Sequence, residues 1–183
     1  MTQALLVIDA QQEMVNGREA GYPWANSGAE QQIAALIAAF RRSGLPVIHV
    51  HHQDIEPGSP MHKDAPGAAP LDCATPALDE ARFVKHGSSA FIGTALETHL
   101  RATLVDQLVI AGGEANYCVE SSTRMAGNLG FHVVLAEDAL INFQKTLRDG
   151  TVIAPEMVLA MTLANMSGSF ARVTTTQDIL AQL

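Results

Sequence analysis

The chain has 183 residues, 48% of them hydrophobic and 16% charged, which suits one globular domain over 1–183 and excludes disorder as the dominant state. With 19 acidic against 11 basic residues the formal charge is −8. The basic residues are scattered, so there is no electrostatic footprint for nucleic acid or an anionic membrane, and a small molecule is the expected partner.

The opening MTQALLVIDAQQ has no basic residue ahead of its short apolar run and reaches an acid at Asp9. It is neither a leader peptide nor a membrane span, and a cytoplasmic location is expected. From there, short β-branched runs alternate with stretches of helical period, the pattern of a parallel sheet covered by helices on both faces. Strands are expected over 4–10, 46–52, 82–86, 108–112, 132–139 and 170–175, several of them continuously apolar as burial on both faces requires. Before the second strand, Ser27 and Glu30 have capping-box spacing, Ile33, Leu36, Ile37 and Phe40 make one helical face, and Gly44 and Pro46 end it. The stretch 53–72 carries Pro57, Pro60, Pro66 and Pro70 with Gly58 and Gly67. It reads as a long loop, the kind that walls or covers a site. A second helix is expected after Thr94 and Glu97, another capping box, with Leu96, Leu100 and Leu104 as its buried stripe. A third starts at Cys118 and closes at Gly130, and a fourth starts near Pro155 and carries Met157, Val158 and Met161 inward.

Three of these strands end in a reactive group. Asp9 closes the first, Lys85 closes the third, and the fourth feeds a turn that delivers Cys118 to a helix start. In open α/β sheets the ligand crevice lies beyond the carboxyl ends of the strands, so the three converge. A thiol in the first turn of a helix, near a lysine, is expected to have a lowered pKa. Asp9 then serves as general base and acid, and N–H groups of the GGEANYC turn stabilise a tetrahedral intermediate. Singly, each residue has a plainer reading: a small buried cysteine, a capping aspartate, a solvated lysine. The alternative from another class is a non-catalytic α/β binding module. Against it, no GxGxxG or GxxxxGK[ST] cradle follows any strand, and the first strand ends in a single acid.

Several motifs occur in order: LLVIDAQQEM, with Asp9 and Gln11; FVKHGSSAFIGTALETHL, with Lys85, Ser89, Ala90, Phe91, Thr94 and Leu96; and LVIAGGEANYCVESSTRMAGNLGFHVVLAEDA. Together they resemble the isochorismatase-like cysteine hydrolases over nearly the whole chain. The resemblance implies a three-layer Rossmann-like sandwich with a six-stranded, mainly parallel sheet flanked by helices. It also implies a triad of Cys118, Asp9 and Lys85 that hydrolyses a small amide or related C–N bond without a cofactor. A cis peptide is implied at Gly113–Glu114, with the Glu114 and Cys118 N–H groups as oxyanion hole, and a homo-oligomer, dimer or tetramer, is implied as well. Gln11, Phe91 and Tyr117 are expected at the substrate, with Trp24 a weaker aromatic candidate.

Departures from the family pattern matter too. Zinc-dependent nicotinamidases of this family carry a D-x-H segment and a further His, whereas this chain has Asp54, Ile55 and Glu56, then His62. No metal is therefore expected, and a zinc-dependent nicotinamidase-like enzyme is the alternative. Members that cleave the vinyl ether of isochorismate lack the cysteine, so Cys118 argues against that reaction. Strand alternation puts His49 and His51 on one face and His52 on the other, leaving room for one or two of them in the pocket. Cys73 matches no motif, and two cysteines make no disulfide framework.

Overall fold

The computed structural model describes residues 2–183. Its strands are β1 (Thr2–Ile8), β2 (Trp24–Ala25), β3 (Val47–His52), β4 (Ala81–Lys85), β5 (Val105–Gly112), β6 (His132–Leu140), β7 (Asn142–Phe143), β8 (Lys145–Thr146), β9 (Val152–Ile153) and β10 (Arg172–Thr174). The helices are α1 (Glu13–Glu19), α2 (Ala29–Arg42), α3 (Leu96–Ala102), α4 (Glu120–Asn128), α5 (Pro155–Met166) and α6 (Thr176–Leu180). Six strands form one sheet in the order β10-β6-β5-β1-β3-β4, parallel throughout. The other four make two antiparallel two-residue ribbons, β2 with β7 and β8 with β9.

Side chains alternate across the sheet, so a strand buried on both faces must be apolar at every position. In β1, Ala4, Leu6 and Ile8 enter one core, while Leu5 and Val7 enter the other. The first core is closed by Leu96 and Leu100 of α3, Ala126 of α4, and Leu159 and Met166 of α5. The second is closed by Ile33, Leu36, Ile37 and Phe40 of α2 and Ile179 of α6. The chain lays down β1, β3 and β4 in one direction and β5, β6 and β10 in the other. The reversal falls between β1 and β5, the switch point at which open α/β sheets place a ligand beyond their strand ends.

The six expected strands are all present, with ends shifted by up to three residues, and several helix details differ from expectation. Neither capping box forms. The cap of α2 is Gly28, and Glu30 pairs with Arg18 instead. The Thr94 hydroxyl donates to the Ala90 carbonyl at 2.6 Å and accepts from the Leu96 N–H at 3.3 Å, while Glu97 pairs with Arg101 one turn on. Leu104 lies past the end of α3 in left-handed backbone, φ 57°, and is 78% exposed rather than buried. The buried face of α5 is Pro155, Leu159, Thr162 and Met166, with Met157 and Met161 turned outward and Val158 only partly buried. Apolar residues surround most of that helix, with polar Thr162 on its buried face, so its pattern carries little phase.

One polar cluster ties α2 to the edge of the sheet. Glu80 accepts two hydrogen bonds from Arg41, at 2.7 and 2.8 Å, one from the Ala77 N–H at 2.7 Å, and one from His49 Nε2 at 3.0 Å. Burial works to raise this carboxyl, but the hydrogen bonds from Arg41, Ala77 and His49 outweigh it and hold Glu80 down to about 2. A carboxyl depressed by folding stabilises the fold above its unfolded pKa, about 4.5, and that contribution is lost as pH falls from there toward 2. Glu80→Gln is expected to lower the thermal midpoint by several degrees at pH 7, with the gap to wild type closing between about pH 4.5 and pH 2. Melting curves at stepped pH check this, and a gap of constant size would assign the effect to shape rather than charge.

Candidate active site

The three groups meet beyond the carboxyl ends of β1, β4 and β5. Asp9 follows β1 in left-handed backbone, φ 47°. Lys85 is the last residue of β4, and Cys118 lies in a wide turn of π type, Ala115–Val119, that joins β5 to α4. Lys85 Nζ is 2.7 Å from Asp9 Oδ2 and 3.2 Å from Cys118 Sγ. The Lys85 and Asp9 side chains are only 0% and 2% exposed, so a buried ion pair stands against a half-buried thiol. Close contact of β1 with β5 makes this possible. Gly112 has φ 121°, and a Cβ built on it would fall 1.9 Å from the Ile8 carbonyl oxygen. The Gly113 N–H donates to that same oxygen at 2.8 Å. The Gly113–Glu114 peptide bond is cis. Beyond it, the Ala115 N–H donates to Ile141, and the Tyr117 and Val119 N–H groups both donate to the Glu114 carbonyl.

The protonation state overturns the expectation of an acidic thiol. Burial raises the Cys118 thiol and the Asp9 charge pushes the same way, so that despite the opposing Lys85 it is pushed up to about 12. Cys118 lies in the π turn that runs into α4, two residues before its first residue, Glu120. Burial also raises the Asp9 carboxyl, with Lys85 opposing. Burial and the Asp9 charge thus both favour the protonated thiol, and Asp9 Oδ1 has no hydrogen-bond partner among the described residues.

Other candidate residues divide between site and scaffold. The fully buried Gln11 amide donates to the His52 and Ala68 carbonyls, at 3.0 and 2.8 Å, and accepts from the His52 N–H at 2.8 Å. With these bonds made, it pins the end of β3 rather than facing a substrate. Phe91 is 8% exposed and stacks on Phe131, within the core against which Cys118 packs, so it forms no open pocket wall. Tyr117 is 52% exposed, with Lys145 Nζ 4.4 Å from its ring centroid, and Lys145 also pairs with the Glu114 carboxylate. Trp24 lies under the Arg18 guanidinium. Cys73 is half-buried, and burial pushes its thiol up to about 11.

The 53–72 segment is tied to the chain after β1. The Gln12 N–H donates to the Ala69 carbonyl and the Leu71 N–H to the Ala10 carbonyl, both at 2.8 Å. Among the described residues no group of three His, Cys, Asp or Glu side chains is arranged to hold a metal ion, so Asp54, Glu56 and His62 do not form the donor set a zinc enzyme requires. Two participants carry no motif of their own. Lys145 reaches Glu114 from 31 positions away, and His52 lies with its Nδ1 3.3 Å from Lys85 Nζ. His49 and His51 sit apart from His52, their rings 6.2 Å from each other.

An isochorismatase domain model matches residues 3–178 of the chain. An isochorismatase family protein of Bacillus subtilis strain 168, YrdC, is 30% identical over 97% of this chain and 94% of its own length. The maleamate amidohydrolase of Pseudomonas putida is 26% identical over 98% of this chain and 86% of its own length. Among solved structures, an isochorismatase-family protein from Chromobacterium violaceum ATCC 12472 superposes with a TM-score of 0.93 at 43% identity, covering 98% of this chain and 92% of that one.

Proposed function

The chain belongs to the isochorismatase family of hydrolases, and on that premise we propose that it cleaves a small-molecule amide or related C–N bond through a thioester on Cys118. The observation that carries this is the contact of one buried ammonium, Lys85, with both Asp9 and Cys118. The kinship with a maleamate amidohydrolase supports the bond type.

Asp9 takes the thiol proton as sulfur attacks the substrate carbonyl and the C–S bond forms. Following the family resemblance, we assign the oxyanion to the Glu114 and Cys118 N–H groups; those of Ala115, Tyr117 and Val119 are bound to protein carbonyls. Collapse breaks the C–N bond, and Asp9 returns its proton to the leaving nitrogen. Water then attacks the thioester and gives its proton to Asp9. Expulsion of sulfur, which recovers that proton, releases the carboxylic acid and restores the thiol. Lys85 keeps the developing charges on Asp9 and sulfur paired throughout, which a site this dry requires.

The whole domain, 1–183, works as the catalytic unit, with no cofactor and no nucleic-acid partner. Tyr117 directly precedes Cys118, and it and the Glu114–Lys145 pair on which it is braced contribute the rim. Met157 and Met161, each more than half exposed on α5, support assembly as a dimer or tetramer. The test is ammonia release from a panel of small amides and ureides that includes maleamate, with acid-quenched samples digested for mass spectrometry. An acyl adduct on the Cys118 peptide is expected. Undiminished hydrolysis after stoichiometric alkylation of Cys118 would overturn the proposal.

A further inference from the structure

An ammonium has three protons, and Lys85 Nζ has three neighbours: Asp9 Oδ2 at 2.7 Å, Cys118 Sγ at 3.2 Å and His52 Nδ1 at 3.3 Å. The third is built into the fold, since His52 and Lys85 are direct partners in the β3–β4 ladder. A ring nitrogen that accepts a proton carries none, which places the imidazole proton on Nε2. Nε2 lies 2.8 Å from Asp54 Oδ1, the acceptor that this tautomer needs. The other Asp54 oxygen accepts from the Ser59 hydroxyl at 2.5 Å, and Ser59 Oγ in turn accepts from the Met61 N–H at 3.1 Å. The His52 backbone is held separately by the two Gln11 hydrogen bonds. Ring, tautomer and main chain are therefore each constrained by a different group.

Resting on the triad reading above, we propose that His52 is a positioning residue for Lys85, with Asp54 fixing its tautomer. A buried ammonium held by Asp9 alone can rotate about its stem and leave the sulfur. A neutral acceptor on the far side fixes the direction of the remaining protons without adding charge. It also satisfies a proton that would otherwise be buried without a partner, which favours the charged lysine. A histidine that only tied down the 53–62 loop would leave the reactivity of Cys118 unchanged.

The test reads Cys118 directly and needs no substrate. Second-order rates of alkylation by iodoacetamide at pH 8 are compared in a Cys73→Ala background, where one thiol reports, with thermal melts as the check on folding. His52→Leu is expected to slow alkylation about tenfold, the equivalent of one pKa unit on the thiol. His52→Asn, whose Oδ1 takes the place of Nδ1 as acceptor, is expected to restore the rate to within about threefold of wild type. A wild-type rate in His52→Leu, or an equally slow His52→Asn, overturns the positioning role. Lys85→Met separates the two readings. If it slows alkylation while His52→Leu does not, only this inference fails. If it too reacts like wild type, the triad itself fails. Should His52→Leu not fold, Asp54→Ala decides: slowing of about threefold or more supports the role, and an unchanged rate overturns it.

Discussion

Asp9→Asn is expected to lower turnover about 100- to 10,000-fold and, at the same time, to make Cys118 react faster with iodoacetamide than in the wild type. The two effects have one cause. Asp9 is the proposed proton acceptor, so its loss removes base catalysis in acylation and acid catalysis at the leaving nitrogen. Its charge is also, after burial, the leading reason why the thiol is held at about 12. An amide of the same shape removes that charge while Lys85, 3.2 Å from the sulfur, remains to stabilise the thiolate. Asparagine, like aspartate, tolerates the left-handed backbone at φ 47°, so the substitution acts on charge and leaves geometry alone. Alkylation rates from pH 6 to 10, set beside hydrolysis rates for the same preparations, provide the measurement. Alkylation that slowed together with turnover would mean that the Asp9 charge is not what holds the proton on sulfur, while unchanged turnover would refute its role as base.

The contrast between a legible site and an illegible proton inventory follows from what each depends on. Asp9, Lys85 and Cys118 were readable because strand ends in a parallel sheet converge whatever the loops do. The six strands were readable because burial on both faces forces apolar runs such as LLVI and LVIA. The direction of the Cys118 shift was not readable, since it depends on how deeply the turn is packed and on how the Asp9 and Lys85 charges balance at the sulfur. In the sequence His52 is one of three neighbouring histidines. Its role requires the β3–β4 register, which pairs it with Lys85 across 33 positions. Gln11 and Phe91 show the converse. Their motifs marked them correctly as placed residues, but a motif does not say which way a side chain faces, and both face protein. On α5 apolar residues recur around most of the axis, so its sequence does not distinguish Met157 and Met161, which face outward, from Leu159 and Met166, which enter the core.

Gly112→Ala is expected to destabilise the fold by ~4 kcal/mol or more, at the severe end of single substitutions, and to remove activity from whatever protein remains folded. Two separate penalties combine. The backbone at φ 121° is one that L side chains rarely adopt. The added methyl would also meet backbone on its neighbour, 1.9 Å from the Ile8 oxygen and 2.8 Å from the Ile8 nitrogen and carbonyl carbon. Backbone in the middle of a sheet cannot move aside as the tip of a flexible side chain can. Gly44 serves as the control, because it too has positive φ, 65°, but open space where the methyl would go. Gly44→Ala is expected to cost only the backbone term, about 1–2 kcal/mol. Urea unfolding of the two variants measures the difference, and a Gly112→Ala protein within about 1 kcal/mol of Gly44→Ala would show that β1 and β5 can separate at little cost. That outcome would reach the site as well, because Asp9 follows Ile8 directly and Cys118 hangs from the turn after Gly112. The contact between Lys85 and both of them holds only while these two strand ends stay in register, so a methyl at 112 that β1 accommodated by moving would carry Asp9 away from the sulfur. Activity is therefore expected to fall further than the surviving folded fraction does.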